Sequence, residues 1–297
     1  MTQHARLDGL AATILVACCV TWGLNQAAIK ISLDGIPPVL GAGLRSLVAG
    51  TLLVSWCLAR GEPLLRRDGT GGYGLLLGLA FSAEFVFLYG GLAFTTASRS
   101  VIFLYMAPFF VALGAHRYVP GERLTLGRTV GLALAFFGLC LAFADSLRLP
   151  SRRELVGDLL EVGAAFLWGA TTVLVKKRSN MGVTPSRTLF YQLAVSGVLL
   201  TSVASLLGER VAAHPPPVVL ISFAFQAVVV AFVSYLTWFW LLARYSASGL
   251  ASFSFLTPLF GVLAGWLLLG ERLTAYLGAA AALVAIGIML VNRSPSP

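Results

Sequence analysis

Few side chains in this sequence can do chemistry, and those few stand among apolar residues. Glu84 sits near the middle of one apolar run, Arg45 is early in another, and Glu161 falls near the start of a third. Ionisable groups at such depth are costly and are functional candidates by default. Glu84 can bind an ammonium group or exchange a proton; otherwise it is an internal partner for Arg45. Arg45 can clamp a carboxylate with its planar fork, or run its stem toward the interface. Glu161 reads as structural. His4, His116 and His214 fall at run ends or in loops, so no buried histidine relay is expected.

Aromatic and small polar residues form a second group. Trp22 and Asn25 are three apart and share a helix face, and Trp168 and Thr171 repeat the arrangement. Tyr89, Tyr105, Tyr235 and Trp238 lie well inside apolar runs. A tyrosine hydroxyl there needs a partner or an aqueous space. Each of these residues alone can be packing. As a set spread over both halves of the chain, and together with Glu84, they read as the lining of a substrate cavity. An aromatic wall with few fixed charges suits a flat, largely apolar solute with a polar end. Trp56, Trp266, Tyr118 and Tyr276 read as interfacial instead.

Other chemistries lack their residues. Ser82, Ser100, Ser196 and Ser254 have no histidine at comparable depth, so no catalytic set is expected. No Gly-rich phosphate loop ending in Lys-Ser or Lys-Thr is present, which argues against ATP hydrolysis. Cys18, Cys19, Cys57 and Cys140 lie in apolar runs without metal spacing. No metal and no cofactor is expected.

The elements that must position these residues are membrane helices. The 297 residues are 58% hydrophobic and 11% charged, against about 25% charged in soluble domains. Ten apolar runs are expected as spans, at 8–29, 37–59, 72–93, 97–117, 124–144, 156–176, 185–207, 216–242, 246–269 and 273–292. Runs near 20 residues fit helices and are too long for barrel strands. The first run follows Arg6 and is too long for a signal-peptide core. The tail from Arg293 to Pro297 is expected to be disordered. Lys and Arg concentrate in the loops on the N-terminal side, although Arg148, Arg152 and Arg153 oppose that bias, so both termini are expected in the cytoplasm. The net charge of +9 then reflects basic loops beside anionic lipid. Nucleic-acid binding is not expected.

The chain also contains one membrane unit written twice. Gly121-Glu122-Arg123-Leu124-Thr125 recurs as Gly270-Glu271-Arg272-Leu273-Thr274, 149 positions later. Trp22-Gly23 matches Trp168-Gly169, and Lys30 matches Lys176. Pro38, Gly50 and Gly61-Glu62 match Pro185, Gly197 and Gly208-Glu209. Ala97-Ser98, Pro108 and Gly138 match Ala247-Ser248, Pro258 and Gly287. The units are 1–147 and 148–297. Five helices per unit, an odd number, turns the second unit upside down relative to the first. The fold class is therefore all-α integral membrane: ten transmembrane helices as two inverted five-helix repeats around a central cavity. Pro108 and Pro258 bend their helices and, with Gly50 and Gly197, are the candidate hinge and gating positions.

On Trp22-Gly23, Trp168-Gly169, Pro108, Pro258 and the two Gly-Glu-Arg turns, the chain resembles the drug/metabolite transporter superfamily in its ten-helix EamA branch. Within that branch it is most similar to the YddG-type exporters of aromatic amino acids. The resemblance implies a multi-pass protein of the bacterial inner membrane, with eight helices around a cavity and the fifth and tenth outside. The expected function is a secondary exporter of aromatic or other large apolar amino acids and similar metabolites, working by alternating access. A passive channel or facilitator, or a proton-coupled drug exporter, remains the alternative. The expected partners are the small-molecule substrate, the bilayer and a candidate coupling proton, with the chain as a monomer.

Overall fold

The computed structural model describes residues 7–65, 69–146 and 149–293. His4, Arg6, Arg66, Arg67, Arg148, the boundary expected between 147 and 148, and the tail beyond Arg293 lie outside the described residues.

No strand occurs among the described residues. Eight helical segments are long and apolar enough to cross a membrane. They are α1 (Gly9–Ser32), α2 (Pro38–Ala59), α3 (Gly71–Leu92), Ala97–Tyr118, α7 (Arg152–Ser179), α8 (Pro185–Leu206), Pro217–Arg244 and Ala247–Leu269. Two shorter apolar helices are α6 (Leu126–Ala142) and α13 (Leu277–Arg293). Their outer faces carry exposed Leu, Val and Phe, including Leu75, Leu76, Phe137 and Val198, as lipid requires and water does not.

Three long segments are internally divided, in a way that hydropathy alone does not reveal. Ala97–Tyr118 splits into α4 (Ala97–Leu104) and α5 (Ala107–Tyr118), and Ala247–Leu269 into α11 (Ala247–Phe253) and α12 (Leu256–Leu269). Pro108 is the second residue of α5 and Pro258 the third of α12. A proline is tolerated in a first helical turn because it has no N–H to donate. At each break the backbone tightens: Met106 N–H donates to Phe103 O at 3.1 Å, and Phe255 N–H to Ser252 O at 3.4 Å. Pro217–Arg244 divides into α9 (Pro217–Ala224), a wide π-helical run (Phe225–Ser234) and α10 (Tyr235–Arg244). π-helical turns are often found at functional sites.

Helix ends follow local capping. Asp8 Oδ1 accepts from Ala11 N–H at 2.7 Å at the start of α1. Ser151 and Glu154 form a reciprocal capping box on α7. Pro38 and Pro185 open α2 and α8. Gly61, Gly121, Gly208 and Gly270 all take left-handed φ, between 65° and 85°, in the turns before their Glu partners. These are the four positions that the repeat pairs as Gly61 with Gly208 and Gly121 with Gly270.

Packing pairs helices across the two halves. α2 packs on α8 and α6 on α13. A Cβ on Gly131 would stand 2.7 Å from Gly287 O, and one on Gly287 would stand 2.5 Å from Gly131 O. α1 packs on α12 and α7 on α5. A Cβ on Gly23 would stand 2.5 Å from Phe260 Cβ, and one on Gly169 would stand 2.6 Å from Phe110 Cβ. Such small-residue contacts let helix backbones approach closely in lipid. Gly197 belongs to this class, its added Cβ falling 2.7 Å from Leu47 Cδ2. Gly50 does not: the nearest atom, Leu193 Cβ, is 3.6 Å away, an ordinary contact.

Candidate functional site

Most of the aromatic residues selected from the sequence meet in one interior run. Tyr105 on α4–α5 meets Trp168 on α7 edge-to-face, with ring centroids 5.6 Å apart. Trp168, Trp238, Pro108 and Ser254 line a narrow crevice. Trp238 on α10 packs edge-to-face on Trp22 of α1, also at 5.6 Å. Trp22 Nε1–H donates to Ser234 Oγ at 2.8 Å. Tyr235, one turn before Trp238, meets Phe81 at 6.3 Å, and Phe81 meets Phe85 at 5.1 Å. Phe85 leads to Tyr89 at 6.0 Å. The run therefore crosses the molecule from α4 and α7 through α10 and α1 to α3.

Not every selected residue joins this run. Thr171 is buried and donates to the Trp168 carbonyl of its own helix at 2.9 Å; its neighbour Thr172 lines the crevice instead. Asn25 is half-buried, and its Oδ1 has no hydrogen-bond partner. Glu84 is also half-buried, and no ion pair joins it to Arg45. Arg45 is 3% exposed and lies over the Phe85 ring at 5.1 Å. With Tyr89, Gln226 and Ser32 it lines a second small pocket. Glu161 is fully buried and accepts from Ser100 Oγ at 2.7 Å, a helix-to-helix tie.

The expected single open cavity is thus replaced by two small pockets separated by stacked rings. The rings occupy the interior themselves, edge against face, the preferred geometry for aromatic pairs. Phe81 and Phe85 were not selected from the sequence because nothing distinguishes them from packing phenylalanines there. Gln226 and Ser234, on the π-helical run, were missed as well. Gln226 Nε2–H reaches Ala28 O and Ser32 Oγ on α1 at 3.2 and 3.0 Å.

A buried polar cluster closes one end of the site. Lys176, at the C-terminal end of α7, is fully buried and donates from Nζ to Leu242 O at 2.8 Å and Tyr245 O at 2.7 Å. Glu122 accepts from the N–H groups of Ala247 and Ser248 at 2.6 and 3.2 Å, and from Ser248 Oγ at 2.9 Å. Tyr245 O–H donates to Asp8 Oδ2 at 3.1 Å. Burial raises the Tyr245 hydroxyl above the usual phenol range, and the Asp8 carboxylate acts in the same direction. Behind the cluster, α11 packs on α5 and α7. Lys176 and Glu122 belong to the repeat matches Lys30/Lys176 and Glu122/Glu271, which was the available sequence signal for them.

The matching residues elsewhere behave differently. Lys30 and Glu271 pair with each other, with side chains 63% and 44% exposed. α4 makes no packing with α12 or α1 comparable to that of α11 with α5 and α7.

A family model described as the EamA-like transporter family matches residues 9–144 and again 155–293. The chain belongs to the EamA-like transporter family. The same family model thus matches the chain twice in succession. A probable amino-acid metabolite efflux pump of Escherichia coli (strain K12) is 31% identical, covering 96% of this chain and 95% of that protein. A protein of the same name from Salmonella typhimurium is 30% identical with the same coverage. An uncharacterized transporter of Bacillus subtilis, YoaV, is 23% identical over 93% of this chain and 94% of its own length. One crystal structure superposes with a TM-score of 0.81 at 18% identity, covering 95% of this chain and 96% of that one, which shows a shared fold. The protein is a membrane transporter of small metabolites.

Proposed function

We propose that this EamA-family protein is a secondary exporter of amino acids with aromatic or other large apolar side chains. It works by alternating access in a bacterial inner membrane with both termini in the cytoplasm. The observation that carries this reading is one aromatic run bounded by two unequal ends. The end at Glu122 and Lys176 is sealed by buried hydrogen bonds, with the Tyr245–Asp8 bond at its rim. The end at Lys30 and Glu271 holds an exposed pair. Ten spans in two inverted five-helix units, 1–147 and 148–297, account for this arrangement. In support, α1 begins at the Asp8 cluster, whereas its counterpart α7 ends there at Lys176. The helix pairing is unchanged when the halves are exchanged: α1 with α12 becomes α7 with α5, while α2–α8 and α6–α13 map onto themselves.

The conformation described is then sealed toward the cytoplasm, with an exposed ion pair at its outer end. The opposite state follows by exchanging roles: Lys30 takes the Leu92 and Thr95 carbonyls, and Glu271 takes the Ala97 and Ser98 amides. The breaks before Pro108 and Pro258 absorb the movement. Among the relatives, two are named amino-acid metabolite efflux pumps, which supports the substrate class. Rings that meet edge-to-face can part to admit another ring, which favours aromatic solutes over polar ones.

Counterflow in proteoliposomes with labelled phenylalanine, tryptophan, leucine and serine tests the reading. The three apolar amino acids should show saturable uptake, accelerated by the same solute inside. Failure of all three rejects it. A pH step resolves the coupling: if Glu84 carries the proton, E84Q loses pH-driven flux and keeps counterflow. Pore-like flux that ignores internal substrate favours a passive facilitator.

A further inference from the structure

Four arginines are almost completely enclosed: Arg45, Arg99, Arg128 and Arg187, all between 3% and 7% exposed. Three of them have found partners. Arg99 pairs with Asp158, Arg128 donates to Arg123 O at 2.9 Å, and Arg187 donates to Leu64 O at 3.2 Å and Thr70 Oγ1 at 2.7 Å. Arg45 is different. Its Nε and Nη2 are buried without any hydrogen-bond partner. An enclosed guanidinium with idle donors is costly. It lines a pocket whose other polar members are Tyr89, Gln226 and Ser32. The Phe85 ring covers one side of the fork.

The fork's chemistry selects a carboxylate or a phosphate, both of which accept two parallel N–H bonds. Glu84 decides between them. It immediately precedes Phe85, the ring that the fork covers, and makes no ion pair with Arg45. A phosphate dianion on Arg45 would bring a second negative charge beside the Glu84 carboxyl with no cation to offset it. A zwitterion would satisfy both groups at once, because it brings its own cation.

We propose that Arg45 and Glu84 form the head-group subsite of the transport pathway, Arg45 taking the α-carboxylate and Glu84 the α-ammonium of one amino acid. The substrate's side chain lies along Phe85, Phe81 and Tyr235 toward Trp22. This inference rests on the exporter reading and narrows it. Recognition is of the free α-amino acid, and amines or acids of the same ring are poor substrates.

Competition against labelled phenylalanine counterflow tests it, with phenylalanine, its methyl ester and its N-acetyl derivative as competitors. In the wild-type protein both derivatives should compete at least about tenfold more weakly than phenylalanine. R45Q should level the free acid and the ester while keeping discrimination against the N-acetyl form. E84Q should do the reverse. Transport of the ester by R45Q shows that the variant is folded. If R45Q does not insert, R45K decides, since it keeps the charge and loses the fork: it should narrow the acid-to-ester ratio. Wild-type protein that accepts the ester as well as the acid overturns the proposal. So does R45Q, or R45K in its place, with an unchanged ratio. Absence of any wild-type counterflow rejects the exporter reading itself, a separate outcome.

Discussion

Residues 92–98 and 242–248 occupy matching places in the two halves, yet one is covered and the other is not. Both contain the Ala-Ser step that opens the next helix, Ala97-Ser98 and Ala247-Ser248. Ala247 and Ser248 are 0% and 3% exposed, whereas Ala97 is exposed and Ser98 half-buried. Each helix start has its own side-chain cap, from Thr96 to Arg99 N–H and from Ser246 to Gly249 N–H. Local capping therefore does not explain the difference. The contacts from the opposite half do: Lys176 and Glu122 have closed on 242–248, while Lys30 and Glu271 have closed only on each other. Closure is thus a property of how the halves meet, and the shared Leu-Ala and Ala-Ser steps are compatible with both arrangements.

The largest expected effect comes from the two lysines. K176A removes a fully buried donor and strands two carbonyls, at a cost of about 2–4 kcal/mol. K30A removes an exposed pair worth about 0–1 kcal/mol. Thermal unfolding of the purified variants in detergent measures both; equal losses would erase the contrast. Transport should show the complement, with K30A folded but slow in counterflow if Lys30 seals the outer end during the cycle.

The two glutamates come next. E122A deprives Ala247 and Ser248 of their acceptor and should cost about 1–3 kcal/mol. It should also raise the thiol labelling of a cysteine placed at Ala247. E271A should leave stability nearly unchanged. Labelling at Ala247 that ignores E122A would mean that Glu122 does not hold this end shut.

A smaller difference is expected between the two glycines. G197A forces a Cβ toward Leu47 and should destabilise by about 1–2 kcal/mol. G50A has room, and alanine's higher helix propensity should make it neutral or stabilising by up to about 1 kcal/mol. Melting temperatures moving in opposite directions would support the asymmetry in the α2–α8 contact. The smallest effect is at the Trp22–Ser234 bond: W22F loses it, about 1 kcal/mol, together with part of the ring packed on Trp238. S234A should cost about the same, and the double variant should show that the two losses are not additive.

Much of the architecture was legible from residues alone. Apolar run length marked the helices, because unsatisfied backbone in lipid leaves little alternative. The repeat motifs marked the two halves, and Gly61, Gly121, Gly208 and Gly270 took the left-handed turns that their places at helix ends require. Trp22, Trp168, Tyr105, Tyr235 and Trp238 were identifiable because large rings with polar atoms are conspicuous at mid-span. Thr171 was a poorer choice than Thr172, since helical spacing left its exact face unresolved. Gln226 and the π-helical run carried no signal, because one extra residue per turn leaves hydropathy unchanged.

By itself the sequence determined the membrane class, the duplicated plan and the scarcity of charge, since these follow from composition and periodicity along the chain. Only the tertiary structure decided which end is sealed, that Glu122 caps the helix at Ala247, and that the enclosed Arg45 is left without a hydrogen-bond partner. Those outcomes depend on contacts between residues 66 to 241 positions apart, which composition and periodicity along the chain do not fix.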